Sequence, residues 1–280
     1  MFRQEKSQLI AQMAAEHGTR SVGKRLHALA QLTDAELMRL WVQAGLQQGQ
    51  QASGCLVAVG GYGRAELFPH SDVDVLVLLP DTADIEHNEA LKTSLSVFIT
   101  ACWDAGLEIG SSVRTVAQCM QEAADVTVQT SLLEARFLCG DAALYAGFEA
   151  AFLSQLDARA FFNAKQLELR QRHTRFENTP YSLEPNCKES PGGLRDLQVV
   201  LWVAKAAGFG ASWDDLARSG VATALEVQRI KSNYSLLSLV RARCMCSPSA
   251  VKTAWCLTCK PRWPRVWATA QSKANARARC

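Results

Sequence analysis

The sequence has few histidines, no long apolar run and no zinc-like cluster. Its five histidines are scattered through 280 residues. The longest apolar stretches have the length of a strand, whereas a membrane-spanning helix needs about 20 apolar residues. Residues 1–6 lack the apolar segment of a signal peptide. These absences predict a cytoplasmic protein without a membrane partner.

Acidic residues are also absent after Glu226, which makes the overall formal charge of +3 misleading. Seven of the 30 Lys and Arg lie in residues 244–280, so the rest of the chain carries an acidic excess of four. A mildly acidic body is not the electrostatic signature of a nucleic-acid-binding protein. We therefore expect no nucleic-acid partner.

The last 37 residues, 244–280, differ in character from the rest of the chain. They hold five of the ten cysteines, but no apolar strand precedes Cys256 and Cys259 to support a thioredoxin-like motif, and no periodicity indicates a zinc ribbon. Back-translation with plausible codons, shifted by one base, yields a peptide with acidic residues and helical periodicity. We therefore predict that the reading frame departs between about Arg241 and Cys244. The tail would then be disordered and the chain truncated.

The stretch 56–79 is the most informative part of the sequence, because it reads as strand, glycine-rich turn and strand. The turn contains Gly60, Gly61 and Gly63. Glycines let backbone N–H groups come close to a phosphate. Arg64 follows them, and we expect it to supply a guanidinium and the start of a helix, both favourable for an anion.

Two aspartates, Asp72 and Asp74, open the second strand. Side chains two apart on a strand leave the same face, so both carboxylates can converge on one cation. Mg²⁺ is usually held by one or two protein carboxylates together with water and substrate phosphate. The pair therefore predicts a catalytic Mg²⁺ site for nucleotide chemistry. The competing interpretation is a turn between two core strands, with both aspartates serving only as caps.

Other phosphate and metal motifs fail on order or spacing. A Rossmann fingerprint would need Gly or Ala where Glu66 stands, and the Gly-Lys-Ser/Thr ending of a Walker loop is absent. An EF-hand loop from Asp72 would need an oxygen ligand at Leu76.

The runs 60–64 and 66–74 resemble the nucleotidyltransferase signature of bacterial PII uridylyltransferase/uridylyl-removing enzymes, which belong to the superfamily of DNA polymerase β. Segments 112–115, 130–136 and 183–198 extend the resemblance. It implies an α+β fold with a DNA polymerase β-like core, a small mixed sheet with helices, and further helical segments on both sides.

The resemblance also implies an activity, namely Mg²⁺-dependent transfer of UMP from UTP to a tyrosine of the PII signal protein. With Asp72 and Asp74 as catalytic metal ligands, the expected nucleotide-binding residues are Gly60, Gly61, Gly63, Arg64, Ser71 and Arg195. Many members of the superfamily have a third metal carboxylate on the returning strand, where only Glu108 is acidic here, and that ligand stays unassigned.

Two alternatives remain open. The element 192–196 also resembles one in glutamine synthetase adenylyltransferases, so it supports the superfamily more than the exact substrate. Adenylyl transfer to another regulatory protein is therefore a second possibility. A chain cut short could also be an inactive fragment that binds only nucleotide or partner.

The helical periodicity predicts the organisation around the core. The expected parts are an N-terminal helical segment (1–50), the nucleotidyltransferase core (51–140), an incomplete helical domain (141–243) and the tail (244–280). Thr33 or Asp34 is expected to cap a second helix, and residues 127–138 to form one buried helix. His173 is expected on a solvated helix face.

Overall fold

The computed structural model describes residues 1–15, 18–47, 54–84, 87–181 and 186–246. These residues form eleven helices and four strands. In chain order they are α1 (Phe2–Ala15), α2 (Val22–Gln43), β1 (Cys55–Ala58), α3 (Gly60–Gly63), β2 (Val73–Leu79), α4 (Glu89–Asp104), β3 (Ile109–Thr115), α5 (Val116–Glu122), α6 (Val126–Leu133), β4 (Arg136–Gly140), α7 (Ala142–Gln155), α8 (Ala158–Arg175), α9 (Leu194–Ala206), α10 (Trp213–Arg218) and α11 (Ala224–Met245).

The strands form one mixed sheet in the order β3-β2-β1-β4. Strand β1 pairs antiparallel with β2 and β4, whereas β2 and β3 are parallel. Helix α4 makes the crossover between the parallel strands, as such a connection requires. The predicted α+β class with a small mixed sheet is confirmed.

Alternation along β2 decides which face of the sheet each side chain covers. Val75 and Val77 belong to the core that contains residues of α1, α2 and α4. Leu76 and Leu78 belong to a second core, with residues of α6, α7, α8 and α9. Asp74 shares the parity of Leu76 and Leu78, and therefore lies on the face covered by the second set of helices.

Two local predictions are wrong. Neither Thr33 nor Asp34 caps a helix, because α2 runs unbroken through both, and the Thr33 hydroxyl donates to the Leu29 carbonyl within it. Residues 127–138 do not form one helix, since α6 ends at Leu133 and the chain then enters edge strand β4.

The later helices α7 and α8 begin at aspartate caps. Asp141 and Asp157 cap α7 and α8, each accepting hydrogen bonds from two backbone N–H groups of the first turn. The last helix, α11, includes Cys244 and Met245, the first residues of the predicted tail, which are therefore helical and not disordered, while residues 247–280 with the Cys-x-x-Cys motif lie outside the described residues. Among the described residues, no helix has the length and apolarity that crossing a bilayer needs.

Candidate active site

Asp72 directly precedes β2 and Asp74 is the second residue of this strand, beside the glycine turn that follows β1. Asp72 is exposed, and Asp74 is partly buried. The backbone N–H of Val59 donates to the Asp74 carbonyl at 3.0 Å, which ties the turn to the strand. Burial, followed by the negative charge of Asp72, raises the pKa of Asp74, and the charge of Lys188 opposes the rise. Two carboxylates held this way attract a cation.

The glycine turn is itself a short helix, α3, and each of its three glycines has a different structural environment. Gly60 has φ +56°, and a Cβ there would lie 3.4 Å from Asp74 Oδ2. A Cβ on Gly63 would lie 2.0 Å from the Glu134 carbonyl oxygen, so this glycine is needed for backbone packing. Gly61 has room for a Cβ, which would meet Arg64 at 3.6 Å.

Arg64 does not begin a helix, because it follows the last residue of α3 as its C-cap. Its guanidinium donates to the carboxylate of Glu134, which is buried, with 8% of its surface exposed. Glu134 also accepts a hydrogen bond from Trp202 Nε1 of α9 at 2.5 Å. Although Arg64 lines the cavity, its charge is therefore largely compensated by Glu134.

A second ion pair holds the outer side of the glycine turn. Arg136 of β4 donates to Asp34 of α2 from two nitrogens, at 2.8 and 3.0 Å. It also donates to the Gly63 carbonyl at 3.2 Å, while the Tyr62 hydroxyl donates to Asp34. Asp34 thus connects the N-terminal helices to the turn.

A cavity of about 700 Å³ opens over the aspartates and the turn. Every predicted site residue except Gly63 lines it: Gly60, Gly61, Arg64, Ser71, Asp72, Asp74 and Arg195. The structure thus gathers residues from two predicted domains into one cavity.

Basic residues of the helical domain line the same cavity. Lys188 belongs to the loop before α9 and Arg195 to its first turn. Arg195 contacts Glu189 at 3.2 Å, and its Cζ lies 5.2 Å from the centroid of the Trp202 ring. Burial and the charge of Arg195 lower the pKa of Lys188. A cationic wall therefore shares the cavity with the carboxylate pair, as a polyphosphate requires.

Asp196 fixes the start of α9 to α8. It accepts hydrogen bonds from Arg172 at 2.7 Å, from His173 at 3.0 Å and from the Gly192 N–H at 2.7 Å. Burial opposes its ionisation, but the hydrogen bonds from these groups lower the pKa of Asp196. His173 therefore does not lie on a solvated face, and Asp196 has a clear structural role.

The third carboxylate is not supplied by the strand position opposite Asp74, which is occupied by Gly110. Glu108 lines a smaller cavity beside both aspartates, and its charge acts on Lys6. Within the described part of the chain, no group of three or more His, Cys, Asp or Glu is arranged to hold a metal. The donor set is the aspartate pair, and it fits Mg²⁺, which completes its shell with water and phosphate oxygens.

Sequence reasoning missed Lys188, Glu134, Asp34 and Arg241 as parts of this region. Lys188 and Arg241 both line the cavity. The one local signal was at Arg241, which follows Leu239 and Val240 on an apolar part of α11. The contacts of Glu134 and Asp34 come from residues far away in the chain.

A mixed sheet with a carboxylate pair beside a glycine turn defines a nucleotidyltransferase core of the DNA polymerase β type. In agreement, residues 4–129 match the family model described as "Putative nucleotidyltransferase DUF294", and residues 160–245 match "GlnD PII-uridylyltransferase".

Curated relatives carry the name bifunctional uridylyltransferase/uridylyl-removing enzyme. The protein of Burkholderia orbicola (strain AU 1054) is 57% identical over 80% of this chain and 25% of its own length. The proteins of Burkholderia vietnamiensis and Ralstonia nicotianae are 54% and 52% identical over 86% and 87% of this chain and 27% of their own lengths. The chain is therefore similar to PII uridylyltransferases over most of its own length, and it spans about a quarter of the length of these relatives.

Proposed function

We propose that this chain carries the nucleotidyl-transfer centre of a PII uridylyltransferase, which moves UMP from UTP to a tyrosine of the PII protein. The observation that carries the proposal is that the carboxylate pair Asp72 and Asp74 shares one cavity with the cations Lys188 and Arg195. Such a cavity suits a metal-bound nucleoside triphosphate. The choice of uridylyl transfer rests on the names of the relatives, and the choice of the PII protein rests on the description of the matching family model.

Asp72 and Asp74 would hold Mg²⁺, which, when bound, supplies charge neutralisation at the phosphates. The tyrosyl oxygen of the partner forms a bond to the α-phosphorus, the bond to the bridging oxygen of pyrophosphate breaks, and the phenolic proton passes to solvent. The turn at Gly60 and Gly61 borders the aspartates and limits where the triphosphate can lie. Lys188 and Arg195 orient its negative charges.

The test is transfer of label from α-labelled UTP or ATP to purified PII protein by the purified chain with Mg²⁺. We expect label from UTP, and a loss on the order of a thousandfold in Asp72→Asn with Asp74→Asn, because metal-ion stabilisation contributes several kcal/mol. Asp214→Asn, an exposed aspartate on α10, is the matched control and should transfer normally.

Each other outcome removes a defined part of the proposal. Label from ATP alone would replace uridylyl with adenylyl transfer. A folded chain that binds UTP without transferring label would be a binding fragment. Full activity in the double variant would show that the aspartates are not the metal ligands.

A further inference from the structure

Arg241 is a buried cation without an acidic partner of its own. It lies on α11 with 7% of its surface exposed, and its Nε has no hydrogen-bond partner among the described residues. Its Cζ lies 4.0 Å from the centroid of the Phe68 ring. Burial, then the charges of Arg64 and Arg195, lower the pKa of Arg241 to about 10, so it stays charged at neutral pH. A buried charge is costly unless it is paired.

Among the described residues, the carboxylate that acts on Arg241 is shared with other cations. Glu189 is the carboxylate whose charge acts favourably on Arg241. That carboxylate already lies 3.2 Å from Arg195, 3.4 Å from Lys188 and 3.9 Å from Arg172. Glu189 is therefore shared by Arg195 and Lys188, and more distantly by Arg172, which also pairs with Asp196, before Arg241 is counted. The local excess of positive charge calls for an anion from outside the chain.

This excess lies where the proposed reaction has its greatest negative charge. Arg241, Lys188 and Arg195 line the cavity that also contains Asp72 and Asp74. The charge of Lys188 acts to lower the pKa of Asp74. The charges of Arg195 and Arg241 in turn act to lower the pKa of Lys188. The cations and the carboxylate pair are thus parts of one site.

We propose that Arg241, together with Lys188 and Arg195, binds the terminal phosphates of the nucleotide and the pyrophosphate that leaves. A guanidinium is suited to this because its planar fork can donate two parallel hydrogen bonds to phosphate oxygens. The assignment to a leaving pyrophosphate rests on the proposed function, whereas affinity for a condensed phosphate follows from the charges alone.

The experiment measures binding of inorganic pyrophosphate to the purified full chain by calorimetry, with and without Mg²⁺. Arg241→Met should bind it at least about tenfold more weakly, because a buried charge pair is lost. Arg241→Lys should fall between the two, since it keeps the charge and loses the fork. Arg229→Met, on the exposed face of the same helix, should bind like the parent.

Thermal unfolding separates a ligand-binding role from a structural one. If Arg241 is retained for an anion, Arg241→Met should unfold at the same or a higher temperature without pyrophosphate, because it removes an uncompensated buried charge. It should also gain less stability than the parent when pyrophosphate is added. Failure of this variant to fold would show that the guanidinium serves the fold, and would overturn the proposal.

The results also distinguish this inference from the proposed function. Arg241-dependent pyrophosphate binding in a chain that transfers no UMP would support the pyrophosphate site and refute the proposed UMP transfer. Normal UMP transfer by Arg241→Met, with unchanged pyrophosphate affinity and unchanged KM for UTP, would refute the site alone.

Discussion

Gly110 is the residue whose replacement tests the geometry of the carboxylate pair most directly. It lies opposite Asp74 in the parallel pairing of β2 with β3. A Cβ at Gly110 would lie 2.6 Å from Asp74 Oδ1, whereas ordinary contact begins at 3.4 Å. In Gly110→Ala the carboxylate must therefore retreat by about 0.8 Å, and a misplacement of about 1 Å can cost about a hundredfold in rate.

Gly110→Ala should not lower stability, although it lowers the rate of transfer. The atom that must move is the end of a flexible side chain, and alanine is favoured over glycine within a strand by about 0.5–1 kcal/mol. We therefore expect Gly110→Ala to keep or slightly raise the free energy of unfolding while UMP transfer falls about a hundredfold. Loss of activity with retained stability is the signature of a displaced carboxylate.

The assay combines label transfer with Mn²⁺ binding by electron paramagnetic resonance, which reads the metal site without catalysis. Gly147→Ala is the matched control, because a Cβ at this position in α7 meets nothing within 4 Å. Parental Mn²⁺ affinity and transfer rate in Gly110→Ala would refute the reasoning. A clear fall in its melting temperature would refute it as well, since the clash would then be borne by the backbone.

Two further changes test the supports of the glycine turn. Gly63→Ala should lower the free energy of unfolding by about 2–3 kcal/mol, because its Cβ would lie 2.0 Å from the Glu134 carbonyl oxygen. Gly61→Ala should leave the free energy of unfolding nearly unchanged when both variants are measured by urea titration. Equal losses of stability in the two variants would contradict this prediction. Asp34→Asn should cost about 1.5–3 kcal/mol, because it weakens the charged hydrogen bonds from Arg136. A loss in the free energy of unfolding below about 0.5 kcal/mol, measured the same way, would show that the hydrogen bonds of Asp34 do not stabilise the glycine turn.

The core could be predicted from the sequence because its signals are local. The alternation along β2 sets the strand and places Asp72 and Asp74 on one face, and no distant residue is needed for that inference. The same holds for α7 and α8, whose aspartate caps stand directly before their first turns. Signals of this kind are complete within a few residues.

The errors arise where local and distant interactions compete. Asp34 before a leucine-rich stretch has the pattern of an N-cap, but its carboxylate is engaged by Arg136, 102 residues away. Residues 127–138 contain apolar residues at helical spacing, and the pairing of β4 with β1, which begins with Arg136 opposite Ala58, turns their end into a strand. Neither partner is visible in the local pattern.

The same competition decides which cation of the cavity is available to phosphate. Arg64 follows the glycine turn directly, so local chemistry assigns it to the anion, but Glu134 lies 70 residues away and compensates it. Arg195 shares Glu189 with two other cations, whereas the Nε of Arg241 has no hydrogen-bond partner in the described part of the chain. An incoming phosphate gains most from the charge that the fold leaves uncompensated. Removal of Arg241 should therefore weaken pyrophosphate binding more than removal of Arg195, although Arg195 is the one that the sequence motif indicates.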